Sequence, residues 1–369
     1  MEVPPGIAHF LEHKLFEEEE GNAFDRFAQW GASVNAFTSY TQTSYLFSTI
    51  EGWQEALSDL INLVNSPYLT TENVEKEKGI IEQELRMYED HPDHRIHSVL
   101  LENLYHVNPV RIDIGGTVES VRAITVEELF NCYETFYQPG NMAMAVVGDV
   151  DPEETLGLIR QNYPTWQHRQ GSIERLYPDE PAEVVNPWVE EELNISRPRY
   201  LLGFKHEPIW QGERLLRQQI VMSLVWRLVA GRSSQFFGDL YARNLVDDSF
   251  GASFNSSPQF AYSVVGSETD NPERLHEELR KIISQLQSSP PSSTDIDRLK
   301  RRIYGGHLAS YDSFEYVANR LITHYFSQTP YYRFLDLVRD VTVDEIQVAL
   351  NEQLDWKRST VSVLRPVQT

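Results

Sequence analysis

Apolar residues at positions 53, 56, 57, 60, 61 and 64 recur with the spacing of one helix face, and Asn65-Ser66-Pro67 ends the run. Upstream, 33–38 and 44–50 alternate or run β-branched and aromatic around a polar turn, which predicts a β-hairpin. Downstream, the pattern predicts helices over 121–137 and 272–286, the latter with Asn271 as N-cap and Pro272 in its first turn. A longer helical stretch covers 295–326, and 251–265 reads as a second hairpin. The unbroken apolar run Met142 to Val147 predicts a buried strand.

The helix predicted over 71–88 departs from this simple segregation. With about 100° of rotation per residue, Val74, Ile80, Ile81, Leu85, Met87 and Tyr88 form one apolar arc. Glu77 and Glu84, seven residues apart and nearly in line, fall inside that arc. A carboxylate there costs several kcal/mol, roughly, unless it is paired, protonated or bound to a metal. A structural reading gives both glutamates arginine partners in the core. A chemical reading gives them a metal.

The opening stretch favours the metal. In Gly6-Ile7-Ala8-His9-Phe10-Leu11-Glu12-His13, a helix sets His9 and His13 one turn apart with Glu12 on the same flank. Two imidazoles and a carboxylate so arranged supply most of a zinc site that activates water, in the order H-x-x-E-H. His91, His94 and His97 lie in a stretch broken by Pro92 and read instead as a polar junction between helices.

The chain also repeats itself. Val121-Arg122-Ala123-Ile124-Thr125-Val126-Glu127-Glu128-Leu129 recurs as Val338-Arg339-Asp340-Val341-Thr342-Val343-Asp344-Glu345-Ile346, an offset of 338 − 121 = 217. The same offset carries 144–147 onto 361–364. The expected architecture is a duplicated α+β unit, with residues 1–178 as one domain, a linker at 179–189 and 190–369 as the other. The second copy has no H-x-x-E-H, and the register adopted puts Lys300 and His307 where Glu77 and Glu84 would recur. One half carries the chemistry and the other has lost it.

Composition narrows the partners. At 369 residues with 41% hydrophobic and 24% charged positions, the chain can build two cores. A formal net charge of −23 argues against nucleic acid and anionic membrane surfaces. The single Cys132 excludes an internal disulfide and fits a reducing compartment. No apolar run spans a bilayer, and the first residues lack the basic start and apolar core of a signal peptide.

His9-x-x-Glu12-His13 with Glu77 and Glu84 resembles the pitrilysin, insulysin and mitochondrial-processing-peptidase family of zinc metallopeptidases, across essentially the whole chain. Pro5-Gly6-Ile7-Ala8-His9 and Glu77-Lys78-Gly79-Ile80-Ile81-Glu82-Gln83-Glu84 are most similar to its small bacterial processing-protease branch. The resemblance implies α/β-sandwich domains, each an antiparallel sheet with helices packed on it. It also implies one zinc ion per chain on His9, His13 and Glu84, Glu12 as general base and Glu77 as a supporting carboxylate. An extended peptide substrate would pair with the strand carrying Asn35 and Ala36. Family members have strands before the motif helix, whereas eight residues precede His9, so the first domain is expected to lack its amino-terminal strands. A bacterial cytoplasmic location follows, with any targeting signal missing from this sequence. Relatives place an Arg and a Tyr from a second half at the substrate. Here 240–250 offers Tyr241 with Asp247, or Arg243 with Phe250, so a homologous partner, in a homo- or hetero-dimer, is expected to supply the pair. The rival expectation is a non-catalytic, peptide-holding or scaffold subunit of the same fold.

Overall fold

The computed structural model describes residues 3–19, 21–162, 173–176, 178–208 and 211–367. The chain is a mixed α+β protein, and packing divides it into two units. One contains Met1–Met87 and Ile112–Leu176; the other contains Tyr88–Arg111 and Tyr177–Thr369. No described helix is long and apolar enough to cross a membrane.

The first unit opens with α1 (Ile7–Leu15), the two-residue strands β1 (Glu17–Glu18) and β2 (Gly21–Asn22), and α2 (Ala23–Gln29). The hairpin β3 (Ser33–Thr38) and β4 (Thr43–Ser48) follows, then α3 (Trp53–Asn65) and α4 (Thr71–Glu89). Beyond α5 (Pro92–Leu104), which belongs to the other unit, come α6 (Val118–Ala123), α7 (Val126–Phe136) and α8 (Pro152–Asn162). Phe10, Leu11 and Leu15 of α1 enter one core with Ala56 and Leu63 of α3, Val74, Ile81 and Leu85 of α4, and Leu129 of α7. Each such large side chain contributes about 1.5–3 kcal/mol by leaving water.

Three sequence expectations change here. The single helix expected over 121–137 is two helices, because Thr125 caps α7 with a reciprocal Thr125–Glu128 capping box and breaks the run. Residues 142–147 form no strand, and Met144 and Val146 are exposed. A strand needs a ladder partner, and among the described residues none is available to that segment. The apolar arc of α4 is narrower than its sequence suggests. Val74, Glu77, Ile81 and Leu85 are buried, while Ile80, Met87 and Tyr88 face outward.

The second unit contains β5 (Trp188–Leu193), β6 (Arg199–His206), α9 (Glu213–Ala230), α10 (Gln235–Ala242), β7 (Gly251–Ser256) and β8 (Ala261–Glu268). It continues with α11 (Pro272–Ser288), α12 (Ser293–Ser310), α13 (Phe314–Phe326), α14 (Phe334–Asp340), α15 (Val343–Gln353) and β9 (Ser359–Pro366). Its five strands are ordered β5-β9-β6-β8-β7, antiparallel except for the β5–β9 pair. Side chains alternate across this sheet. Tyr200, Leu202 and Phe204 of β6 join the core that includes α9 and α11. Gly203 turns the other way, where a Cβ would stand 3.0 Å from the Leu100 and Leu104 side chains of α5. That close approach is why α5 packs with the second unit, whereas the sequence expectation drew one continuous boundary at 179–189.

The 179–189 stretch is itself held in place. Glu180 accepts hydrogen bonds from the backbone N–H groups of His106, Val107 and Asn108 and from Lys205 Nζ. Lys205 Nζ also donates to Pro181 O and Glu183 O.

The repeat register shifts by one position. Lys78 Nζ donates to Arg122 O, and Lys300 Nζ donates to Arg339 O, the counterpart of Arg122. Lys300 therefore matches Lys78, an offset of 300 − 78 = 222. Buried Val74 and Ile81 then fall on buried Ile296 and Ile303. At that offset Glu77 and Glu84 correspond to Leu299 and Gly306, not to Lys300 and His307. Leu299 is 2% exposed, an apolar core residue where the first unit has a carboxylate.

Candidate metal centre

Helix α1 begins under tight constraint. Gly6 has φ of +90°, and a Cβ there would lie 2.3 Å from Gly115 O. Gly116 has φ of +78°, and its Cβ would lie 2.5 Å from Pro5 O. Two glycine backbones thus let the 113–116 turn meet the start of α1, which fixes the height of the helix. Phe10, Leu11 and Leu15 fix its rotation by burial, which turns His9 and His13 to one side.

That side meets α4. One ligand atom from each of His9, His13 and Glu84 lies within 4.8 Å of the others, the one such cluster among the described residues. Glu84 Oε1 is 3.8 Å from His9 Nε2, and Glu84 Oε2 is 3.4 Å from His13 Nε2. The side chains keep 17%, 25% and 23% exposure for His9, His13 and Glu84, so the centre of the triad remains reachable from solvent. The two imidazoles meet edge to face, 4.6 Å between centroids. Two ring nitrogens and a carboxylate are a donor set suited to zinc.

The surrounding groups orient this set. His13 Nδ1 lies 3.1 Å from Glu77 Oε1, so the neutral ring carries its proton on Nδ1, donates to Glu77 and leaves the Nε2 lone pair facing Glu84. Burial by itself would lower the His13 pKa, but the bond to Glu77 and the charge of Glu84 outweigh it and raise the value. Burial would likewise raise Glu77, yet the bond to His13 and the charges of His13 and Lys14 hold it below the usual carboxylate range. His9 is lowered, by burial first and by His13 second. Its Nδ1 is buried without a hydrogen-bond partner among the described residues.

Two contributors carried no local signal in the sequence. Lys14 is fully buried, pairs with Glu17, donates to Asn73 O and brings Nζ to 4.0 Å from Glu77 Oε2. Thr38 Oγ1 donates to Glu12 Oε2 at 2.6 Å. Glu12 is 8% exposed and stands between the two histidines in sequence, on the helix that presents both. Asn35 and Ala36 lie on β3 just before Thr38, and the Ala36 N–H donates to Asn35 Oδ1 at 2.9 Å. In the second unit Arg243 is bound to Glu278, Asp247 accepts from Arg197, and Phe250 is buried, while Tyr241 is exposed.

Residues 2–118 match the family model described as Insulinase (Peptidase family M16), and residues 123–303 match the Peptidase M16 inactive domain. An uncharacterized zinc protease of Bacillus subtilis is 37% identical over 366 residues, spanning 99% of this chain and 85% of that protein. An M16-like peptidase structure from Alicyclobacillus acidocaldarius superposes with a TM-score of 0.96 at 36% identity, covering 99% of this chain and 88% of the other. The fold also matches pitrilysin, with a TM-score of 0.74 at 18% identity, over 100% of this chain and 41% of that one.

Proposed function

This chain belongs to the M16 peptidase family, and from that premise we propose that it is a zinc-dependent metalloendopeptidase acting on extended oligopeptides or unfolded and leader segments. The observation that carries this reading is the convergence of His9 Nε2, His13 Nε2 and Glu84 on one point, with Glu12 on the same helix. In the proposal His9, His13 and Glu84 hold one zinc ion. When bound, zinc supplies Lewis acidity that polarises the scissile carbonyl and makes an attacking water more acidic. Glu12 takes the proton from that water and returns it to the leaving amine. Glu77 keeps the His13 ring in the tautomer that offers Nε2. Edge strand β3, paired only with β4 among the described residues, would dock the peptide backbone near Asn35 and Ala36.

The second unit would carry no metal site of its own. Leu299 and Gly306 stand at the positions of Glu77 and Glu84, and the inactive-domain model matches 123–303, outside the histidine helix. That match takes in α7 and α8 of the first unit as well as part of the second, so the rival reading, a peptide-holding subunit, draws its support from segments outside α1 and α4. The proposal includes a homologous partner chain, because Arg243 is already committed to Glu278.

Metal analysis and digestion of a peptide library, with and without a chelator, test the reading. One zinc per chain, chelator-sensitive cleavage, and a Glu12→Gln variant that keeps zinc and loses activity are the expected results. A zinc-loaded chain that cleaves nothing, or a fully active Glu12→Gln variant, would sink it.

A further inference from the structure

We propose that Thr38 is a positioning residue for the Glu12 carboxylate, the end of a short hydrogen-bond chain that runs from the β3–β4 hairpin to the base. The inference rests on the reading of Glu12 as general base. The Thr38 hydroxyl is the one hydrogen-bond donor to Glu12 among the described residues, at 2.6 Å. An ionised carboxylate only accepts, so the single proton of Thr38 Oγ1 points at Glu12 Oε2. That leaves Oε1 for the proton of the attacking water.

The next link has its direction set by this one. Thr38 and Thr43 face each other as the last pair of the β3–β4 hairpin, with hydroxyl oxygens 3.3 Å apart. Because Thr38 has used its proton, Thr43 donates to it. Both hydroxyls then point toward Glu12, an arrangement in which one bond polarises the next. Tyr137 Oη lies 2.8 Å from Tyr45 Oη, a separate phenol pair that joins the end of α7 to β4.

The physical need is clear from the burial. Glu12 is 8% exposed and its carboxylate lies on a helix otherwise packed by Phe10 and Leu11. A buried carboxylate with no donor finds a different rotamer or partner, and a misplacement of about 1 Å in a catalytic group can lower a rate about 100-fold. The hairpin pair Thr38–Thr43 connects the shape of β3 and β4 to the orientation of Glu12.

The test uses the full chain and an internally quenched peptide library, with Thr38→Val to remove the hydroxyl at constant shape and Thr38→Ser to restore it. Both variants are expected to bind zinc with wild-type stoichiometry and affinity, since Thr38 is not a ligand. Thr38→Val should lower kcat about 10- to 100-fold with KM within about threefold of wild type, and Thr38→Ser should recover most of kcat. In the metal-free protein, thermal unfolding of Thr38→Val, Glu12→Ala and the double variant should be non-additive, which reads the contact independently of activity. A kcat for Thr38→Val within twofold of an active wild type overturns the inference and leaves the peptidase reading intact. So does a Thr38→Ser as impaired as Thr38→Val, or additive Tm shifts. A zinc-loaded wild type without activity overturns the peptidase reading, and this inference with it.

Discussion

Glu77 Oε1 lies 3.1 Å from His13 Nδ1, the ring nitrogen that does not face Glu84. In the proposed site Glu77 would therefore act through the His13 ring and not through a metal bond. Replacing it with Gln weakens the acceptor without removing a proposed ligand. Zinc affinity of Glu77→Gln is expected to fall about 10- to 100-fold, measured by competition with a chromophoric chelator. Glu84→Ala should lose stoichiometric zinc altogether. Equal affinities for Glu77→Gln and wild type would remove Glu77 from the centre.

Gly6 tests how the motif helix is seated. At φ of +90°, with a Cβ 2.3 Å from Gly115 O, alanine meets both backbone strain and a clash with main-chain atoms that cannot rotate away. Gly6→Ala should lose about 1–3 kcal/mol or more in urea unfolding and should weaken zinc binding as the start of α1 moves. An unchanged midpoint would show that α1 can shift freely.

Lys205 and Glu180 make a strong prediction in the second unit. Lys205 is 5% exposed, and burial lowers its pKa despite the neighbouring carboxylate. Glu180→Ala strands that ammonium and also frees three backbone N–H groups of 106–108. A loss of about 3–5 kcal/mol is expected, partly restored by adding Lys205→Met, which removes the stranded charge. Denaturant unfolding of both variants measures it, and a double variant less stable than Glu180→Ala would contradict it.

His206 sets an acid limit. It is 5% exposed, 2.7 Å from Ser263 Oγ, and burial depresses its pKa to about 3. The unfolded chain takes up this proton below about 6.5, while the folded chain resists until about 3. Between those values the unfolded state binds more protons, so stability is fully present above 6.5 and falls as pH drops through the window. His276 and His324, each lowered to about 4 mainly by burial, add losses of the same sign. Thermal midpoints should fall steadily from pH 6.5 toward 4, and His206→Asn should flatten part of the slope. A midpoint that does not change over that range would refute the assignment.

The residues that were legible in the sequence are those whose relations are local. His9 and His13 share a face because four residues make one helical turn, and Glu77 and Glu84 align because seven make about two. Both hairpins are legible from alternation, and the T-x-x-E boxes at 125–128 and 342–345 are visible in the sequence, while the apolar periodicity of 121–137 runs across the break that the first box makes. In the sequence Thr38 is only the end of a strand. Its partner Glu12 is 26 positions away, and no periodicity carries that distance. Lys14 gave no sign of burial, because a lysine on a charged helix flank is ordinarily solvated.

The sequence by itself determined the His9–His13 face of α1, the Glu77–Glu84 face of α4, the internal repeat and the absence of the motif from the second copy. Tertiary structure decided how those faces meet. The 113–116 turn sets the seat of α1, Gly203 admits α5 to the sheet of the second unit, and bonds to Arg122 O and Arg339 O correct the register so that Leu299 and Gly306 replace the two glutamates. It also decided that 142–147 form no strand. The reason is the same in each case. Helical spacing is a property of neighbours along the chain, whereas a clash, a ladder or a buried hydrogen bond depends on residues that the chain brings together only when it folds.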